Sequence, residues 1–217
     1  TFEYEKNKQW KGSLKKYKLN TDGSFGPIQW DAASKLNNKN ANSRNIWTGG
    51  IGATGINNFI TGNRDELKRL LFPNQTPTDL QVDNLINFIR GVDTYDQDAD
   101  GNKIESIHKL ADVYHSNLVL VGPTTASTTL NSNSNFNNTD INYRINNNYN
   151  IFKTSNNCGT TCLNRQEVLF AGANNGILHA FKSSDGEELW GYIPPMILNN
   201  MERIPSNKAN TTNPIYG

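Results

Sequence analysis

The chain has 217 residues, enough for one large domain or two small ones, with a formal net charge of +1 and a pI near 7.7. That balance excludes a broad nucleic-acid footprint and gives no support to an anionic membrane surface as the main partner. Hydrophobic residues make up 35%, mean hydropathy is −0.67, and apolar runs such as LVLVG at 118–122 are far too short to span a bilayer. Thr1 opens without an initiator Met, a basic segment or an apolar leader, so the chain is expected to be processed or cut from something longer. Asn supplies roughly one residue in six, a composition that tolerates turns, avoids burial and suits a loop-heavy extracellular surface.

In chain order, WKGSLKKYKL at 10–19 predicts a strand, with Trp10, Leu14 and Leu19 recurring among lysines and NTDG at 20–23 as the turn. Lys11, Lys15, Lys16 and Lys18 read as protection of an exposed edge rather than as a basic patch. A second strand is expected to reach PIQWDAASKL at 27–36, and a third lies around RNIWTGG at 44–50. Residues 63–91 change to helical character. NRDELKRLL sets Asn63 to cap and Glu66 three residues on, a capping-box spacing. In TPTDLQVDNLINFIRG, Thr76 can cap, Pro77 suits the first helical position and Gly91 can end the helix. Val82, Leu85, Ile86 and Ile89 share one apolar face, which reads as core packing rather than a partner groove.

Residues 93–107 begin with DTYDQDADGNKIE. Asp96, Asp98 and Asp100 fall at alternate positions, Gly101 takes the sixth place of a calcium loop, and Asn102 can offer its backbone carbonyl. The ninth and twelfth places are Ile104 and Ile107, where ligands would normally close the ring; Glu105 lies one place beyond the ninth. Two readings stand side by side: a site for one hard cation, and a solvated turn in which Asp side chains bond nearby amides.

KLADVYHSNLVLVGP at 109–123 predicts a return to strand. Within it, Asp112, His115 and Ser116 are the residue types of a serine hydrolase. Adjacent His115 and Ser116 on a strand point to opposite faces, and no Gly-x-Ser-x-Gly elbow occurs, so Asp112 and Ser116 are expected to bond backbone amides instead. Residues 124–150 are rich in Asn, Ser and Thr and read as a low-complexity surface insertion, partly disordered. Cys158 and Cys162 are spaced to close a small disulfide ring in an exported protein, ahead of a free thiol pair and a zinc site, which would need two more soft ligands. QEVLFAGANNGILHAFKSSDGEELWGYIPP at 166–195 predicts three short strands joined by tight turns at Asn175-Gly176 and SSDG, most of one propeller blade.

That last stretch resembles the signature blade of the PilC/PilY family, the type IV pilus tip-associated adhesins and biogenesis factors. WKGSLKKYKL is similar to the family's Trp-x-Gly-x-Leu opening strand, WDAASKL to the next motif, NFIRG to its helix-ending Arg-Gly, and LADVYHS to its Leu-Gly-Asp-x-x-His-Ser segment. Ala111 stands for the usual Gly, and Asn117 stands where Pro often follows His-Ser. The resemblance implies a mainly β fold, part of a β-propeller of four-stranded blades, with two short inserted helices and long Asn-rich loops. It implies that residues 1–217 are the first part of that propeller, without the variable adhesive region, and a piece of a larger molecule. It raises calcium in the acidic loop, with Asp96, Asp98, Asp100, Asn102 and Glu105 as ligands. It further implies an exported, non-enzymatic factor at the pilus tip and cell surface. Such a factor would promote pilus assembly against retraction and mediate adhesion, with minor pilins and a host-cell or surface receptor as partners.

Two other readings share the architecture. AFKSSDGEELW also resembles the repeat of quinoprotein dehydrogenases, which hold calcium and pyrroloquinoline quinone under two adjacent cysteines; here the cysteines are separated by three residues and the acidic residues lie in one loop. A non-catalytic scaffold propeller is the third.

Overall fold

The structure is a computed structural model that describes residues 2–3, 11–114, 116–130, 138–158 and 160–205; Trp10 and His115 lie outside these residues. In chain order the strands and helices are β1 (Phe2–Glu3), β2 (Lys11–Gly12), β3 (Lys15–Leu19), β4 (Phe25–Asp31), α1 (Ala32–Asn38), β5 (Ile46–Thr48), α2 (Arg64–Leu71) and α3 (Asp79–Arg90). They continue with β6 (Val119–Val121), α4 (Thr139–Asn146), α5 (Tyr149–Thr154), β7 (Val168–Gly172), β8 (Leu178–Lys182) and β9 (Glu188–Ile193). The chain divides into two compact units, Thr1–Val119 with Leu169–Gly217, and Leu120–Val168.

The fold is sheet-rich. Antiparallel ribbons β1-β2 and β3-β4 precede a five-stranded mixed sheet in the order β5-β9-β8-β7-β6. The three strands expected from 166–195 are present. β8 and β9 pair antiparallel, and the connection from β7 to β8 turns at Gly176, whose φ is +79°. β5 joins β9 in parallel, with Trp47 opposite Tyr192. Among the described residues no closed barrel or propeller is formed.

Several local expectations are corrected. Residues 32–38 are helix, not strand: the Ser34 amide donates to Asp31 Oδ1 at 3.1 Å, capping α1, and Ala32, Ala33 and Leu36 turn into the core. The Asn63–Glu66 capping box does not form. Asn63 Nδ2 instead donates to the Asn58 carbonyl at 2.7 Å, and Glu66 accepts from the Gly52 amide. For α3 the cap is Thr78 rather than Thr76, with Gln81 completing a reciprocal box. Among the described residues of 109–123, strand structure is confined to Val119–Val121, apart from a bridge between Lys11 and Ala111. Five α-helices, not two, occur among the described residues: α1 adds one, and the polar 124–150 segment carries α4 and the start of α5. In that second unit the Cys162 amide donates to the Ser155 carbonyl at 3.1 Å, and Cys158 and Cys162 are disulfide-bonded with their Cα atoms 5.1 Å apart.

The main core joins Val82, Leu85, Ile86 and Ile89 of α3 to Leu67 and Leu71 of α2 and to Ile46, Ile177 and Ile193. Burying each such side chain contributes about 1.5–3 kcal/mol. A second cluster packs Leu14, Trp30 and α1 against Leu110, Ala171 and Phe181. Between the helices and the sheet lies a buried ionic knot. Arg44 grips Glu188 with two bonds of 2.8 Å, and its third nitrogen donates to the Arg90 carbonyl at 2.8 Å, at the end of α3. Arg90 donates to the carbonyls of Ala41, Arg44 and Phe59 at 2.9, 2.7 and 3.0 Å. His179 Nδ1 lies 2.8 Å from Glu188 Oε1.

Burial alone would raise the Glu188 carboxyl, but the Arg44 guanidinium and the bond from His179 hold it well below the ordinary carboxylate range. Burial lowers the His179 imidazole, so it is neutral and donates from Nδ1. Replacing Glu188 by Gln should leave the Arg44 charge buried and unpaired, costing about 3–5 kcal/mol in urea unfolding. Because His179 folds with a depressed pKa, the unfolded chain takes up a proton the folded chain refuses. Stability should therefore fall as pH drops below the ordinary value of 6.5, and fall further as Glu188 nears protonation. Melting curves between pH 7 and 3 would read this, and His179→Gln should flatten the profile above pH 5.

Candidate metal centre

The acidic loop hangs from the end of α3. Gly91 ends that helix with φ +109°, a left-handed conformation in which a side chain would be strained, and the Lys109 stem packs where a Cβ would stand. The chain then makes a short antiparallel neck: Val92 bridges Ser106, the Asp93 amide donates to the Glu105 carbonyl at 2.9 Å, and Ile107 donates to Gly91 at 3.1 Å. Thr94 Oγ1 ties the entry to the Asn84 carbonyl at 2.7 Å. Beyond the neck the exposed tip is held by its own side chains. Gly101 donates to Asp96 Oδ1 at 3.0 Å, Asn102 to Asp100 Oδ1 at 2.7 Å, and Ile104 to Asn102 Oδ1 at 3.3 Å. Asp96, Ala99 and Gly101 take φ values of +53°, +63° and +86°, which fold the tip back.

Asp96, Asp98 and Asp100 are brought together, each offering one carboxylate oxygen within 4.8 Å of the others. Two oxygens on opposite sides of one calcium ion at 2.3–2.6 Å lie roughly 5 Å apart, so this spread suits a single hard cation. Asn102 is exposed, and its side chain is engaged in the turn. Glu105 does not join that trio. It converges instead with Asp98 and with Asp93, a residue the sequence reading passed over, again within 4.8 Å. Asp98 belongs to both groups.

Asp93 differs from the others in burial, being only 2% exposed. Its Oδ2 accepts from the Gln97 amide at 2.8 Å, while Oδ1 is buried without a hydrogen-bond partner. Burial raises the Asp93 carboxyl against the opposing Gln97 bond, and Asp98, Asp96 and Asp100 push it the same way. Glu105 is also raised, by desolvation first and then by Asp100, Asp98, Asp93 and Asp96. Three carboxylates facing one another at the base of the loop, one with an unmade hydrogen bond, form an environment that a hard divalent cation would relieve. The sequence signal for Asp93 was weak: it lies outside the alternating run, and only the turn at 96–99 brings it back.

A cavity of about 320 Å³ opens beside this neck, lined in part by Asp93, Asp98 and Glu105 with Asn37, Lys11 and His108. His108 is committed elsewhere, with Nδ1 2.9 Å from Asn37 Nδ2 and Nε2 3.2 Å from the Gly12 carbonyl. Lys109, its ammonium on the Asn37 carbonyl at 2.9 Å and on Ser106 Oγ, is lowered to about 8 by burial and then by the Arg44 charge. Asp112 and Ser116 serve the fold. Asn174 Nδ2 donates to Asp112 Oδ2 at 2.6 Å and the Gly172 amide to Ser116 Oγ at 3.1 Å. Ser116 thus bonds a backbone amide as expected, whereas the Asp112 carboxylate bonds a side-chain amide.

No family model matches this chain, and no solved structure gives a significant match. The chain is similar to a protein of Pseudomonas aeruginosa (strain UCBPP-PA14) described as a type IV pilus biogenesis factor, PilY1, with 26% identity over 209 residues. That similarity covers 93% of this chain but only 16% of the relative, so the chain spans about a sixth of that protein's length. Among the described residues, no helix is long and apolar enough to cross a membrane. The similarity links the chain, distantly, to a region of a type IV pilus biogenesis factor.

Proposed function

We propose that this chain is part of an exported type IV pilus factor that acts at the pilus tip and cell surface without catalysing a reaction. The observation that carries this reading is the similarity to PilY1, which runs through 93% of the chain rather than through one motif. In this reading the mixed sheet is one blade of a propeller, and the protein promotes assembly against retraction and contributes to adhesion. Minor pilins and a surface or host-cell receptor are its partners.

Calcium is the proposed cofactor, taken by the acidic loop through the Asp96, Asp98 and Asp100 carboxylates with the Asn102 carbonyl, while Glu105 faces the base of the loop with Asp98 and Asp93. The clustered carboxylates support it, since they are hard oxygen ligands on an otherwise exposed loop. The ion would act by ordering that loop. Ordering it in advance removes a cost from partner binding and makes one surface conformation dominant.

Two measurements test this. Adding calcium to the chelator-treated chain should raise its melting temperature by about 5–11 °C, since a ligand at about 100 times its Kd stabilises by about 2.7 kcal/mol. In the full-length protein of the parent organism, replacing Asp96, Asp98 and Asp100 together by Ala should reduce surface piliation and twitching. Normal piliation and twitching with the protein present at normal level would sink the calcium-dependent role.

A further inference from the structure

We propose that residues 120–168 form a module whose fold is conditional on oxidation: closing the Cys158–Cys162 disulfide orders them, and opening it releases them while the rest of the chain stays native. The inference rests on how this unit is packed and not on the pilus reading.

The two units differ in what holds them. Every member of the two apolar cores, from Leu14 to Ile204, lies in the first unit. In the second, the buried apolar side chains among the described residues are Ile141 and Cys162, whereas Tyr143, Ile145, Ile151, Phe152 and Leu163 stay exposed. Burial on that scale offsets little of the entropy lost in ordering so long a segment. Its helices do not stand alone either. α4 has eight residues and α5 six, both too short to persist in water without packing, and no side-chain bond caps either start. α5 is entered through Asn148 at φ +57°, a left-handed conformation that is costly for a residue with a side chain. Thr124 Oγ1 and Thr161 Oγ1 are buried without hydrogen-bond partners, which adds to the cost. By contrast, α1 and α3 of the first unit are capped by Asp31 and Thr78.

The covalent bond sits where the segments of the second unit meet. The Cys162 amide donates to the Ser155 carbonyl at the end of α5 at 3.1 Å, and the Cys162 carbonyl accepts from the Thr124 amide at 3.2 Å. The disulfide closes the turn between α5 and Cys162, so it fixes the residue on which both bonds depend. Small folds that cannot build an apolar core are held by such staples.

Cys162 is fully buried and Cys158 half-buried, so exchange begins at the Cys158 sulfur. The thiolate of a dithiol attacks that sulfur, forms a mixed disulfide and expels the Cys162 thiolate. The second thiolate of the dithiol then frees Cys158, and the dithiol leaves as a disulfide. Two electrons pass to the chain, and the two protons of the dithiol end on the two cysteines. Exchange with an oxidised dithiol runs the same steps backward. The unit therefore takes its shape only once the chain meets an oxidising compartment.

The test is amide hydrogen exchange on the oxidised 217-residue chain, with and without dithiothreitol, beside Cys158→Ser without reductant. Reduction should speed exchange at least tenfold at Asn142, Asn147, Phe152 and Cys162, whose amides are bonded within the unit. Gly91 and Gly191, bonded in the first unit, should change less than twofold. Cys158→Ser should match the reduced chain, and oxidised dithiothreitol should restore protection to the reduced one. An acceleration below tenfold in the second unit would overturn the proposal, as would unprotected amides there before reduction or a failure to recover on reoxidation. Loss of protection in both units together would overturn it too, by making the disulfide a lock on the whole fold.

Discussion

The bidentate bond between Arg44 and Glu188 is the constraint around which the first unit is organised. Both side chains are fully buried, so each charge depends on the other to be tolerated. Glu188 opens β9, Arg44 directly precedes the β5 segment that pairs with it in parallel, and His179 on β8 completes the carboxylate's partners. A parallel strand brought in from far along the sequence has no hairpin to set its register. Here the ionic grip supplies one, because it fixes residue 44 against residue 188 just before Ile46 meets Gly191. Arg44 also donates to the last carbonyls of α3, groups a helix cannot satisfy itself. One guanidinium thus joins sheet and helix, and Arg90 performs the same service for the connecting segment at 41–59.

That knot fixes where α3 ends, and the end of α3 fixes the acidic loop. Arg90, Gly91 and Asp93 are nearly consecutive: one anchors the helix, one reverses the chain, and one begins the neck. The loop is therefore rigid at its base and self-supporting at its tip. The base is a ladder continuous with buried structure, while the tip is a set of local Asx turns in water.

Legibility in the sequence followed how local each determinant was. α2, α3 and their apolar faces were readable because Val82, Leu85, Ile86 and Ile89 repeat at helical spacing. The β7–β9 strands were readable because Asn175-Gly176 and SSDG punctuate them. The errors were shifts between equally plausible caps, Thr76 for Thr78, or a competition decided elsewhere: Asn63 and Glu66 were drawn to Asn58 and Gly52 by the fold around them. DAASKL followed a strand and was read as its continuation, although Asp31 directly before an Ala pair is a usable cap. Helix in the polar 139–154 segment defied composition, which registers low hydrophobicity but not local contacts such as the Arg144–Asp140 ion pair at 3.0 Å and the bond from Asn147 Nδ2 to the Tyr143 carbonyl at 2.8 Å. The parallel pairing of β5 and the knot of Arg44, Arg90, His179 and Glu188 could not be read at all, since they join residues up to 145 positions apart.

The acidic loop shows the same division within thirteen residues. Its alternating aspartates announce a turn rich in hard ligands, and that part is legible because spacing alone decides it. Which oxygens face inward is decided by the neck, and the neck is decided by the helix before it. Asp93 looks like the least promising carboxylate of the loop, yet among the loop's carboxylates it is the one with a buried oxygen that lacks a hydrogen-bond partner. An exposed carboxylate gains little from a cation that water does not already provide, whereas a buried one gains the whole of its missing solvation.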